Sequence, residues 1–181
     1  MKVIGICGSL RATSSNAAIL RAAARMAPPG MELVPYDGVA QLPHFSPDLD
    51  VEPLPEAVRK LREQIAGARA LFICSPEYAH GMPGSLKNAL DWLVSALEAL
   101  DKVVLLFSAS PGGAAHAHGQ LAEVLRTMSL RVVDGGAHVF TRARLDADGE
   151  VSDPAMLAAI SKALADLALH SEAEAEAEAQ P

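Results

Sequence analysis

Cysteine and aromatic side chains are scarce in this chain. Cys7 and Cys74 are its two cysteines, and aromatic residues make up 4% of the 181 positions. Two thiols are too few for a disulfide scaffold, and they form no Cys-x-x-Cys or zinc-ligand spacing. Both end expected strands and read as buried small hydrophobes, close together if those strands are neighbours. Basic charge is not in excess: 15 Lys+Arg face 22 Asp+Glu, a net charge of -7. A broad basic surface that releases counterions from nucleic acid is therefore not expected. More than half of the acidic excess sits in Glu172, Glu174, Glu176 and Glu178. No run is long and apolar enough to suggest a membrane span. The start, MKVIGICGSL, is poor in the features of a secretory signal. The expectation is a cytoplasmic chain with one domain at 1–170 and an acidic low-complexity tail at 171–181, frayed or disordered.

Hydrophobic residues are plentiful, at 50%, and many are alanine. Apolar strand patterns alternate with helical ones. Strands are expected at Lys2–Cys7, 31–35, 69–74 and 102–107, with a fifth at 131–133 that resumes at 137–140. Helices are expected at 14–26, Glu56–Ala66, 86–99, 120–128 and 154–169. In the third, Leu86, Leu90, Leu93 and Leu97 form an apolar stripe at helical spacing. The strands are continuously apolar, which is how a parallel sheet covered on both faces reads. The connection at 36–55 is long and proline-rich, and it is expected to cover a face or contact a partner.

Three loops at expected strand ends carry the chemistry. The first runs from Gly8 through Ser9, Leu10, Arg11, Ala12, Thr13, Ser14 and Ser15 to Asn16 and opens a helix. Its hydroxyls, guanidinium and free N–H groups suit one phosphate, or else a plain helix cap beside a solvent-facing arginine. It is neither Gly-x-Gly-x-x-Gly nor a P-loop. The second, Ser75-Pro76-Glu77-Tyr78-Ala79-His80-Gly81-Met82-Pro83-Gly84, is a rigid turn with one flat ring, able to line a planar ligand or simply to connect strand to helix. The third, 108–113, is made of small residues that allow close backbone approach. His80, His116 and His118 do not form a metal-ligand spacing, so no metal is expected. Ser9 and His80 lack a Gly-x-Ser-x-Gly elbow, so hydrolytic chemistry is not expected. Lys87 and Asp91 form an i,i+4 pair beside Trp92, either a surface ion pair or a subunit contact.

Gly8-Ser9-Leu10-Arg11 with Ser14 and Asn16 resembles the GSLRxxSxN signature of the NAD(P)H-dependent FMN reductases. Pro76-Glu77-Tyr78, followed by Pro83-Gly84-x-Leu86-Lys87-Asn88-Ala89-x-Asp91-Trp92, is similar to that family's second signature. The resemblance spans roughly residues 1–170. It implies an α/β flavodoxin-like three-layer sandwich whose five-stranded parallel sheet has the order 2-1-3-4-5. It implies that Ser9, Arg11, Ser14, Ser15 and Asn16 hold the phosphate of FMN. Pro76, Glu77, Tyr78, Ala79 and His80 would then flank its ring, and Ser108, Gly112 and Gly113 its other edge. Tyr78 and His80 stand as acceptor contacts rather than assigned catalytic groups. The implied reaction passes hydride from NADPH or NADH through flavin N5 to a flavin, a quinone or a similar small acceptor. A flavodoxin-like FMN-binding electron carrier or regulatory protein is the alternative. The segment 86–97, with Lys87 and Trp92, resembles the family's subunit-contact helix, which implies a homodimer or homotetramer. The chain departs from the family pattern at Ala79, where many relatives carry Asn, at Ala114, where glycine is common, and in a shorter fourth-strand loop.

Overall fold

The computed structural model describes the backbone of residues 1–179 and the side chains of residues 1–173. Gln180 and Pro181, which close the expected acidic tail, lie outside the described residues. In chain order the elements are β1 (Lys2–Cys7), α1 (Ser15–Met26), β2 (Glu32–Tyr36), α2 (Glu56–Ala66), β3 (Ala70–Ser75) and α3 (Gly84–Asp91). They continue with β4 (Val103–Ser110), α4 (Ala115–Thr127), β5 (Arg131–Val139) and α5 (Pro154–Ala179). The strands form one parallel sheet in the order β2-β1-β3-β4-β5, the order that the resemblance implied.

Continuous apolar strands follow from two covered faces. Ile4, Ile6, Leu71, Ile73, Val104 and Leu106 meet α2, α3 and α4 on one side. Val3, Phe72, Cys74, Leu105 and Phe107 meet α1 and α5 on the other. Successive side chains of a strand point to opposite faces, so every position must be apolar. Within the helices of the described residues, none is long and apolar enough to cross a membrane. The long connection at 36–55 places Val39 and Leu42 in the core and lays Phe45 against Trp92.

Three expectations need correction. The helix expected at 86–99 ends at Asp91, and the chain then winds through short i→i+3 turns. A helical continuation would need the Trp92 carbonyl as an acceptor. Instead it accepts from Arg62 Nη2 at 2.8 Å and Nε at 3.1 Å. Arg62 is itself held by Asp50 at 2.7 Å and by Ser95 at 2.8 Å. Leu97 consequently leaves the stripe and is 78% exposed, while Leu86, Leu90 and Leu93 stay buried. Second, Trp92 is fully buried within its own chain, so its ring is core and not a contact surface. Third, β4 runs on through Ser108, Ala109 and Ser110, which were expected as loop.

The broken fifth strand is one strand with a register irregularity opposite Leu106 and Ser108. A Cβ on Gly135 would stand 2.9 Å from the Leu106 carbonyl oxygen, and Gly136 has φ +89°. Glycine at both positions lets β5 bulge without losing its pairing beyond the irregularity.

Candidate functional site

The strand order reverses at β1 and β3, and open parallel sheets bind ligands beyond the carboxyl ends of strands at such a reversal. A cavity of about 150 Å³ lies there. The β1–α1 loop contributes Ser9, Arg11, Thr13 and Ser14, the start of α1 contributes Ser15 and Asn16, and the β3–α3 loop contributes Pro76, Glu77 and Tyr78. Larger hollows of about 330 and 430 Å³ lie beside β2. Chemistry rather than volume singles out the smaller one, because its hydroxyls and its cations, which have no ion-pair partner among the described residues, converge on one space.

The first loop is held by its own polar groups. Ser14 caps α1, its Oγ accepting from Ala17 N at 3.4 Å. Asn16 is buried and stitches strands together: its Nδ2 donates to Ala109 O at 2.9 Å, and its Oδ1 accepts from Cys74 Sγ at 3.2 Å. Arg11 is exposed and, among the described residues, makes no ion pair, whereas Arg21, Arg25, Arg59, Arg62 and Arg144 each have an acid. Ser9 Oγ lies 3.2 Å from Tyr78 Oη and ties the first loop to the second. Cys7 and Cys74 are paired in register on adjacent strands, as neighbouring strands would have them. Burial pushes both thiols up, Cys74 well above the ordinary value, with Cys7 adding to it.

In the second loop, Tyr78 N donates to Gly81 O and Gly81 N donates to Tyr78 O, each at 2.9 Å. Ala79 and His80 between them have φ 49° and 60°. This is a type I′ turn, which Asn-Gly suits best. Alanine in the left-handed region crowds its Cβ against the following carbonyl. Ala79 is exposed, so a longer side chain has room. Ala79→Asn is expected to stabilise the chain by about 0.5–1 kcal/mol, raising the melting midpoint by roughly 1–4 °C. A thermal melt checks this, and an unchanged or lower midpoint would refute the strain argument.

Glu77 reaches across to α4, where its Oε2 accepts from Ala117 N at 2.9 Å. That hydrogen bond is the chief reason its carboxyl titrates below the usual range, with further help from the N–H and ring of His116 and the ring of His80. The rings of His80 and His116 lie 4.3 Å apart. Gln120 Nε2 donates to His80 O at 3.4 Å, and Gln120 Oε1 accepts from Met82 N at 3.4 Å. Below them, His118 Nδ1 is 3.0 Å from Ser108 Oγ, and its Nε2 is 3.0 Å from Asp134 Oδ1. This line resembles a hydrolytic triad, but Ser108 is fully buried and no substrate reaches it. It fastens α4 to β4 and to the bulge of β5.

A model of the family "NADPH-dependent FMN reductase" matches residues 1–144. The chain belongs to the NADPH-dependent FMN reductase family. It is 35% identical over 159 residues to an NAD(P)H-dependent FMN reductase of Pseudomonas aeruginosa, covering 84% of this chain and 85% of that protein. It is 33% identical over 139 residues to a quinone reductase of Escherichia coli, covering 74% of each. Its fold is similar to that of FerB, a flavoenzyme NAD(P)H:(acceptor) oxidoreductase from Paracoccus denitrificans, with a TM-score of 0.80, 26% identity and coverage of 93% of this chain and 98% of that one. This chain is thus an enzyme of the flavin-dependent oxidoreductase class.

In this chain, Ser9, Arg11, Ser14, Ser15, Asn16, Pro76, Glu77 and Tyr78 line one cavity. Ala79 and His80 stand just beyond it in the type I′ turn. Ser108 lies within β4 with its hydroxyl on His118, and Gly112 and Gly113 follow Pro111 outside the lining. Sequence reading placed Thr13 in the first loop and Ala109, Ser110 and Pro111 in the third without naming them as site residues, and it missed Phe140, Thr141 and Arg142 after β5. The signal for the last three was the sheet order itself, which puts the end of β5 beside the end of β4.

Proposed function

We propose that this enzyme binds FMN with the phosphate in the cavity around Arg11 and the ring across Pro76, Glu77 and Tyr78. In this reading NADPH or NADH supplies hydride and a flavin, a quinone or a similar small molecule accepts it. The observation that carries the reading is the first loop: a guanidinium without an ion-pair partner among the described residues and a group of serines beyond β1, of which Ser9 hydrogen-bonds directly to an exposed tyrosine beyond β3. A phosphate ester of a flat, partly polar ring matches that order of groups.

When bound, FMN supplies the two-electron redox chemistry, and the protein's part is to hold and orient it. Ser9 and Ser14 to Asn16, rigidified by the helix cap and the Asn16 stitches, fix the phosphate end. Pro76 and the type I′ turn hold the second loop to one path, so its main-chain groups meet the ring edge in a fixed array, worth more than mobile donors. Tyr78, 52% exposed, leaves the outer side open to a flat donor or acceptor. His80 and Tyr78 are contacts for that second molecule, and their replacement changes turnover moderately. Exposed Val94, Leu97 and Leu100, just past α3, support pairing of copies along this side of the chain.

Anaerobic mixing tests the proposal. FMN-loaded protein is expected to bleach rapidly near the oxidised-flavin band with NADPH or NADH, then to recover when a quinone is added. Bound FMN that neither nicotinamide bleaches would mark an electron carrier instead and defeat the enzyme reading.

A further inference from the structure

We infer that Arg142 is a second phosphate-binding guanidinium, lining the same cavity as Arg11, and that the pair makes a phosphate monoester dianion the preferred ligand. The inference rests on the FMN reading above and extends it to a residue beyond both loop signatures.

Placement comes first. Ser110 O, at the end of β4, accepts from Gly113 N at 3.1 Å and from Phe140 N at 2.9 Å. The end of β5 is therefore tied to the edge of the cavity, and Phe140 is 1% exposed. Arg142 follows two residues later in a tight turn, whose Arg144 N donates to Thr141 O and Leu145 N to Arg142 O, each at 3.1 Å. Arg144 anchors that turn through Asp153 at 2.7 Å, and Ser152 Oγ donates to Arg144 O at 3.2 Å. The turn is thus a fixed platform.

Charge decides the ligand. Arg142 lines the same cavity as Arg11, and neither has an ion-pair partner among the described residues. Glu77, the acid at the cavity, has a carboxylate oxygen on the α4 N-terminus. Two cations thus face a space whose remaining polar lining is largely hydroxyl. Ser110 adds one more hydroxyl to that lining. It is 7% exposed and lines the cavity, and its Oγ makes no hydrogen bond among the described residues. Its hydroxyl is open to the cavity and can donate to a phosphate oxygen there. A dianion with three terminal oxygens uses both forks and the hydroxyls; an uncharged ligand uses none of the charge.

The test is flavin-fluorescence titration of the full chain with FMN and with riboflavin, for the parent and for Arg142→Ala, Arg142→Lys, Arg11→Ala and Arg126→Ala. Arg126 carries the same charge on α4 and does not line the cavity. Arg142→Ala is expected to weaken FMN about tenfold and to leave riboflavin unchanged, with Arg142→Lys in between. Arg126→Ala is expected to change neither. If Arg11→Ala abolishes the preference for FMN while Arg142→Ala keeps it, the second guanidinium is refuted and the FMN reading stands. If the parent itself binds riboflavin as tightly as FMN, the phosphate reading falls, and this inference with it. Equal loss of both flavins in Arg142→Ala would mean a structural role only, and would also overturn the inference.

Discussion

Trp92→Ala is expected to destabilise the folded chain by about 3–5 kcal/mol, the range for deleting a large buried aromatic. Three losses combine at this position. The ring is fully buried, so its removal leaves a cavity in the face of the sheet that carries α2, α3 and α4. Its edge-to-face contact with Phe45, at 5.1 Å between centroids and 82°, disappears. Its Nε1 donates to Pro43 O at 2.8 Å, and among the described residues that carbonyl keeps only Asn88 Nδ2, at 2.9 Å. For a chain of this size a melting midpoint roughly 6–20 °C lower follows. Trp92→Phe keeps a ring and drops the N–H, at a cost of about 1–2 kcal/mol. The resemblance placed this tryptophan in a subunit contact, and the structure places it inside. Sedimentation of Trp92→Phe is therefore expected to give the parent's mass. A midpoint within ~2 °C of the parent for Trp92→Ala, below what any buried large-to-small change of this kind costs, would contradict the packing described.

The same neighbourhood shows what sequence alone can and cannot reveal. Leu86, Leu90 and Leu93 were correctly legible as one buried stripe, because helical spacing is a local property. The end of that helix was not legible. No glycine or proline stands between residues 84 and 111 to mark a stop. The terminator is Arg62, positioned by Asp50 and reaching the Trp92 carbonyl from another element. β4 was underestimated for a related reason. Ser108-Ala109-Ser110 reads as a loop by composition, but pairing with Ala137, His138 and Val139 holds it as strand. At the site, the β1–α1 and β3–α3 loops were legible because each is one contiguous segment with its own turn and cap chemistry. Arg142 was hidden because its role depends on β5 lying beside β4, a fact of topology. The order of the sheet, for its part, came from family resemblance rather than from strand patterns.

Arg11→Ala is expected to lower affinity for FMN by about 10–100-fold and to leave riboflavin nearly unchanged, the range that follows from losing charge-assisted hydrogen bonds to a phosphate. The selectivity matters more than the size. Arg11 is exposed and has no ion-pair partner among the described residues, so its removal breaks no ion pair and opens no cavity. The loop keeps its shape through Ser14, Asn16 and the Ser9–Tyr78 contact, none of which uses the guanidinium. A loss confined to the phosphorylated flavin can therefore come only from the phosphate. The FMN affinity of the parent is expected to fall as salt is raised, and that of Arg11→Ala to fall less steeply, because one ionic contact is gone. An unchanged melting midpoint in the absence of flavin completes the expected result. Equal weakening of FMN and riboflavin would place Arg11 outside the phosphate site, and with it the anchor on which the orientation of the whole flavin depends.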